Sequence, residues 1–216
     1  MANQETAYGL RPIGLVGSAA NSTGVTQYEI ASDNTNVIYH GELVVPLAAG
    51  VIDQAGDTAG GTTAGLGILI GVEYVDSVLN KTIFKNFWPG SGSASIDSNF
   101  PVKALVADNP MQLFQVATDA SITSRAVAVT AIFANATLGT SARSGSTKTG
   151  QSSSALSVSS IATTATLGFK VVGIVDDDAN SDFTAAGIPL VVRINAHYNS
   201  PNARFDSQTT ATTTGI

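Results

Sequence analysis

The side chains in this sequence able to do acid–base or metal chemistry are few and widely spaced. The two histidines, His40 and His197, fall on separate predicted strands without the close ligand spacing that metal sites use, so both read as surface strand residues. The densest acidic group is Asp176-Asp-Asp178, followed by Asn180 and Asp182. Oxygen side chains at alternate positions match the start of a calcium loop. The glycine and closing glutamate of an EF-hand loop are missing, however, and a strand precedes the group instead of a helix. Asp and Asn favour turns, and a solvated turn is expected over Asp176–Asp182. In Gly65-Leu-Gly-Ile-Leu-Ile-Gly71 the third glycine comes one residue late for a dinucleotide loop, and the segment leads into a strand. No glycine loop ends in Gly-Lys-Ser/Thr, and no serine sits in a Gly-x-Ser-x-Gly elbow. With no cysteine in the chain, thiolate ligands, disulfides and cysteine nucleophiles are excluded. A glycosidase-type carboxylate pair would have to be assembled by the fold, and nothing in the sequence points to one. The expectation is a protein with no catalytic residue, metal or cofactor.

The elements that would position any site are mostly strands. Thr26, Tyr28 and Ile30 alternate with Gln27 and Glu29, as do Val102, Ala104 and Val106 around Lys103, which predicts half-buried strands. Further strands are predicted at Leu43–Val45 (with Pro46 as the exit), at Ile68–Val75, at Thr82–Trp88 and at Leu113–Val116. Phe169–Val175 is a nearly continuous apolar run and predicts a strand buried on both faces. In Leu190–His197, Leu190, Val192, Ile194 and Ala196 face one way and Arg193, Asn195 and His197 the other. One short helix is predicted within Ser121–Phe133, capped by Asp119 or Ser121 and weakened by β-branched Val127, Val129, Thr130 and Ile132. Three stretches are low in complexity: Gly56–Gly67, Thr140–Thr166 and the tail from Asn199. On composition these are flexible loops and a tail, to be ordered only by a neighbouring subunit. The expected architecture is a single mainly β domain, sandwich or barrel-like. Residues 1–24 would form an N-terminal arm, 25–198 the β-rich core and 199–216 a C-terminal arm, with at most one short helix.

Charged residues make up only 12% of the 216-residue chain, against 44% hydrophobic. Charge is replaced by Ser, Thr, Ala, Asn and Gly, whose short uncharged side chains desolvate cheaply, so the surface suits contact with other protein. A net charge of −6 without any run of three Lys or Arg argues against nucleic acid as the main partner. No secretory leader is visible at the start, and the longest apolar run, at Ile68–Val72, is too short for a membrane span. A soluble protein made in the cytoplasm is expected. Two groups could anchor a partner: Tyr8, Leu10, Arg11, Pro12 and Ile13 before the first predicted strand, and Trp88 beside Phe84, Phe87 and Pro89. Each could equally pack on its own core, which is the commoner fate of an aromatic cluster.

Ala7-Tyr-Gly-Leu-Arg-Pro-Ile13 resembles the start of a group of tailed-bacteriophage virion structural proteins. The chain is similar to that group at further points in the same order: Gly71-Val-Glu-Tyr74, Phe87-Trp-Pro89, Asp108-Asn-Pro110, Phe114-Gln-Val116, Thr149-Gly-Gln-Ser152, Ile161-Ala-Thr-Thr164, Ile194-Asn-Ala-His197 and the final Gly-Ile. The segments Gly56–Gly67 and Thr137–Ser146 depart from the pattern. The resemblance implies a capsid decoration (cement) protein on the virion exterior, bound to the major capsid protein and self-associated as a homotrimer or other homo-oligomer. It implies no catalytic residue. Rival expectations are another virion role, at the head–tail connector, tail or fibre, and a glycan-acting enzyme.

Overall fold

The computed structural model describes residues 3, 7–17, 24–55, 64–139 and 143–200. In chain order its elements are β1 (Arg11–Leu15), β2 (Thr26–Ile30), β3 (Leu43–Pro46), β4 (Ile52–Gln54), β5 (Gly67–Asp76), β6 (Lys81–Lys85), β7 (Val102–Ala107), β8 (Gln112–Ala117), α1 (Arg125–Thr130), β9 (Asn135–Ala136), β10 (Phe169–Ile174) and β11 (Pro189–Ile194). The chain is mainly β, in two sheets. One runs β3-β4-β2-β7-β5-β6, and an added β3–β5 pairing at Leu43↔Ile68 and Val44↔Gly67 closes β2, β7, β5, β3 and β4 into a small barrel. A single parallel bridge, Ile30↔Ile52, joins β2 to β4. The other sheet is antiparallel, in the order β1-β8-β11-β10-β9.

The pleat explains how one chain fills two cores. In β3, Val44 points into the barrel while Leu43 and Val45 point out of it. In β5, Leu69, Val72 and Tyr74 point in, while Ile68 points out. The inward set meets Ile30, Ile52, Val102, Ala104, Val106 and Trp88. The outward set meets Phe114, Val116, Phe169, Val171, Leu190, Val192 and Ile194 from the second sheet. β3 and β5 therefore form a wall shared by two hydrophobic cores, which is why their sequences are apolar at successive positions. Each fully buried aliphatic or aromatic side chain in them contributes about 1.5–3 kcal/mol.

Several expectations are corrected. The segment before the first predicted strand is itself a strand: β1 pairs with β8 from Arg11↔Gln115 to Leu15↔Gln112, with a register shift between Pro12 and Gly14. Pro12 lacks a donor, but β1 is an edge strand, where that costs least. Residues 8–15 thus belong to the core domain, and the boundary at residue 24 does not separate an arm. Of the C-terminal arm, only Asn199 and Ser200 fall within the described residues. β10 alternates between buried and half-buried residues instead of being buried on both faces. The helix is one turn shorter at its start than predicted, because Ser124, not Asp119 or Ser121, accepts the Val127 N–H at 3.3 Å and caps it.

The described part of the Ser/Thr-rich stretch, 143–166, is knitted into the molecule. Leu156 N–H donates to Ala117, Ser157 N–H to Thr137 and Ala162 N–H to Asn135, each at 2.9 Å. Ser152, Ser154, Ala155 and Leu156 are buried. Small side chains let this backbone lie close against its neighbours, so a composition that reads as a loop serves here as close packing. Residues 56–63, within the other low-complexity loop, lie outside the described residues.

Candidate functional site

Three of the quoted motifs, at residues 7–13, 87–89 and 149–152, meet at one junction with residues 39–41. Gly9 has φ of +79° and its N–H donates to Ser154 at 3.0 Å, while Leu10 N–H donates to Gly41 at 2.8 Å. A Cβ on Gly9 would lie 2.7 Å from the Gly41 carbonyl oxygen and 2.9 Å from Ser152 Cβ, so only glycine fits both the backbone and the space. Gln151 reaches back with its amide N–H to the Tyr8 carbonyl and, at 3.3 Å, to that of His40. His40 N–H donates to Gly150 at 2.8 Å, Asn86 Nδ2 donates to Thr149 at 2.7 Å, and Tyr39 stacks on Phe87 with centroids 5.9 Å apart. Gly9→Ala is therefore expected to cost more than about 1 kcal/mol of stability, read as a lowered denaturant midpoint. An unchanged midpoint would show that this contact is dispensable.

Tyr8 and Leu10 are 4% and 0% exposed and Trp88 is 0% exposed, so these three expected interface residues are internal to the chain. Trp88 pairs with Ile38 through two backbone hydrogen bonds, and its indole N–H donates to the Asn34 carbonyl at 3.2 Å. Pro12 is half-buried on the core side of β1, whereas Arg11 and Ile13 are exposed. Arg11 lies over the Tyr8 ring, 3.8 Å from its centroid.

The junction also holds an acid that the sequence reading passed over. Glu42 is 1% exposed, and its Oε2 accepts the Tyr39 N–H at 2.6 Å while Oε1 is buried with no hydrogen-bond partner. Burial raises its carboxyl to about 8, against the opposing pull of the Tyr39 N–H and of Arg143. The sequence signal was one acid inside the apolar run Gly41-Glu-Leu-Val-Val45. A neutral, enclosed carboxyl here is an internal polar plug, and its reach to solvent is nil.

The two histidines stay apart. His40 is half-buried with Nδ1 2.9 Å from the Ile70 carbonyl, so Nδ1 carries the proton. His197 is 1% exposed, contrary to the surface position expected. It follows β11 at a bridge to Gly65, and its Nδ1 accepts the Asn199 N–H at 3.1 Å. Burial pushes it down to about 4, with Asp108 opposing in part. Nδ1 is engaged and Nε2 is buried without a partner, so neither nitrogen offers a reachable lone pair to a substrate. Nearby, Asp108 accepts from Thr26 Oγ1 at 2.8 Å, Tyr28 O–H at 2.6 Å and Asn199 Nδ2 at 3.3 Å. Burial, and then the bond to Asp108, raise the Tyr28 hydroxyl above its ordinary value. This cluster borders an open recess lined by Gly24–Thr26, Asp108–Pro110 and Asn199, and it clasps residue 199 to β2 and the β7–β8 turn.

The acidic segment is the turn it was expected to be. Asp177 accepts from Ala179 N–H and Asn180 Nδ2, and Asp182 accepts from the backbone and hydroxyl of Thr184. The Asn180 and Thr184 side chains, then the backbone N–H groups, lower these two carboxyls. Asp176 meets Arg125 at 3.3 Å. Asn3 closes the far side, donating to the carbonyls of Asp182 and Ala186. Among the described residues no three His, Asp or Glu side chains converge as a metal site. Comparison with protein-family models, curated proteins and solved structures finds no match to this chain.

Proposed function

We propose that this chain is a capsid decoration protein of a tailed bacteriophage, docked on the outside of the major capsid protein lattice and bracing the head. In this reading it is made in the host cytoplasm, self-associates as a homotrimer or other homo-oligomer, and works by contact, without catalysis. One observation carries the reading: bulky apolar side chains stand out from a surface with little charge. Phe133 is 76%, Val78 73%, Phe84 71% and Leu79 57% exposed. Val78 and Leu79 form the tip of the β5–β6 hairpin, Phe84 lies on β6, and Phe133 follows α1. Phe133 also has φ of +73°, a backbone conformation that bulky residues rarely adopt. Exposed aromatics of this kind are interface anchors. The resemblance series supports the same reading in a different way. Of its residues, Tyr8, Gly9, Leu10 and Ser152 are buried at the junction and serve as scaffold there, not as contact surface.

Decoration is multivalent, so each copy needs only a modest interface. Bound at a hundredfold excess over Kd, it would stabilise the state that presents its site by about 2.7 kcal/mol. Particles grown without the protein are expected to close and package DNA but to release it at lower temperature. Adding the protein back should restore resistance, and a Phe84→Ser, Phe133→Ser variant should restore it poorly. Heads that never close without the protein would overturn the reading in favour of a connector, and equal heat resistance would overturn it outright.

A further inference from the structure

The five-stranded sheet has one face on the shared core and one face turned outward. Cross-strand register puts Arg11, Gln115, Val191 and Gly173 in one outward row, and Gly14, Leu113, Arg193 and Lys170 in the next. Ile13, at the β1 irregularity, is 43% exposed beside them. No Asp or Glu occurs in any strand of this sheet, although the chain holds 16 acidic residues against 10 basic ones. The barrel strands, by contrast, carry Glu29, Asp53, Glu73 and Asp76. Arg193 Nε is buried with no hydrogen-bond partner. Neither Lys170 nor Arg193 has an ion-pair partner among the described residues. The outward face of an antiparallel sheet in water usually mixes charges of both signs. This one interleaves three cations with Leu113, Val191 and Ile13, which is the composition of a protein contact with the opposite charge expected across it.

We infer that this face, centred on Arg193, Lys170 and Leu113, is the docking surface for a partner protein that presents carboxylates. The inference rests on the decoration reading, which makes that partner the coat subunit, but it can fail separately. The cations steer and orient the approach, and the apolar side chains between them supply the buried area. Arg11 and Ile13 bring the edge strand into the same surface, and the exposed aromatics on β6 and after α1 remain for further contacts.

Two arms test this on the full chain. In the first, poly-L-glutamate is titrated into free protein and backbone amide resonances are followed. Shifts should concentrate at residues 113, 115, 170, 191 and 193, and should weaken at high salt. Equal or larger shifts with duplex DNA, or none with either polymer, would overturn the inference. In the second, a Lys170→Glu, Arg193→Glu variant and a control at the exposed loop lysine, Lys148→Glu, are added to undecorated particles. The double variant should bind at least tenfold more weakly, and the control should bind as wild type does. Unchanged thermal midpoints would show that the variants fold, and Lys170→Gln, Arg193→Gln serves if the reversal does not. Wild-type binding with no loss in the double variant overturns the face and leaves decoration standing. No wild-type binding sinks decoration, and the first arm then judges the face alone. If free wild type is oligomeric and the double variant is monomeric, the face is a self-contact and the coat assignment is wrong.

Discussion

The unfolding free energy is expected to be flat between about pH 4.5 and 6.5, and to fall by about 1 kcal/mol from pH 6.5 to 8. Two buried groups set this profile. Glu42 has an ordinary value of 4.5 and is raised to about 8 in the folded protein. The native state therefore holds a proton that the unfolded state has released, and the stability this gives, complete below 4.5, is lost as pH rises toward 8. His197 is lowered from 6.5 to about 4. There the unfolded state holds the extra proton, so stability present above 6.5 is lost as pH falls toward 4. Between 4.5 and 6.5 the two slopes cancel. Glu42→Gln should abolish the alkaline fall and leave a curve rising up to pH 6.5. Denaturant titrations at half-unit pH steps measure both, and a wild-type curve level from 6.5 to 8 would remove Glu42 from this role.

The largest single loss is expected from Trp88→Ala, about 3–5 kcal/mol. Its side chain is fully buried in the barrel core, edge-on to Tyr74 with centroids 5.9 Å apart and planes at 85°. Truncation opens a cavity that the closed ring of strands cannot collapse to fill, and it removes one of the two donors to the Asn34 carbonyl, which keeps the Ser91 N–H at 2.9 Å. Trp88→Phe keeps much of the volume and should cost clearly less. A midpoint lowered by roughly 10 °C in the alanine variant is the expected readout. A loss under about 1 kcal/mol would mean that Trp88 is not the plug of this core.

Strands with a clean period of two, such as β2, β7 and β11, were legible in the sequence because one face of each is buried and the pleat writes that into the residue pattern. β1 was not, because Pro12 and Gly14 are poor strand formers tolerated only at an edge, and β8, which recruits it, lies far along the chain. β10 misled in the opposite way: a half-buried outer face can be as apolar as a buried one, as Val172 shows. The shared wall of β3 and β5 shows in their unbroken apolar runs, but which core each residue enters depends on pairing partners and not on local pattern. For the candidate site, Trp88 was expected at a partner interface and is instead fully buried, since burial of an aromatic depends on the tertiary fold. His197 was misplaced because β11's alternation ends at the Gly65 bridge. Glu42 looked like an ordinary charge, since nothing local tells that the fold closes over it.

The strand order also bears on how the protein is made. All six strands of the barrel sheet lie between Thr26 and Asp76 or in the two strands up to Ala107, whereas β1 pairs with β8, which begins at Gln112. A ribosome moving at its usual pace takes roughly 5–20 s to go from the end of β1 to the start of β8. The last barrel strand, β7, is complete only just before β8 begins, so until the second sheet forms Leu43, Val45 and Ile68 have nothing to cover them and β1 waits as a lone strand. Pro12 and Gly14 then act as a guard, denying the waiting strand a regular hydrogen-bonding edge on which a neighbouring nascent chain could pair. A chain released early, just past Ala107, would leave the ribosome with a closed barrel and a sticky wall, a natural client for chaperones.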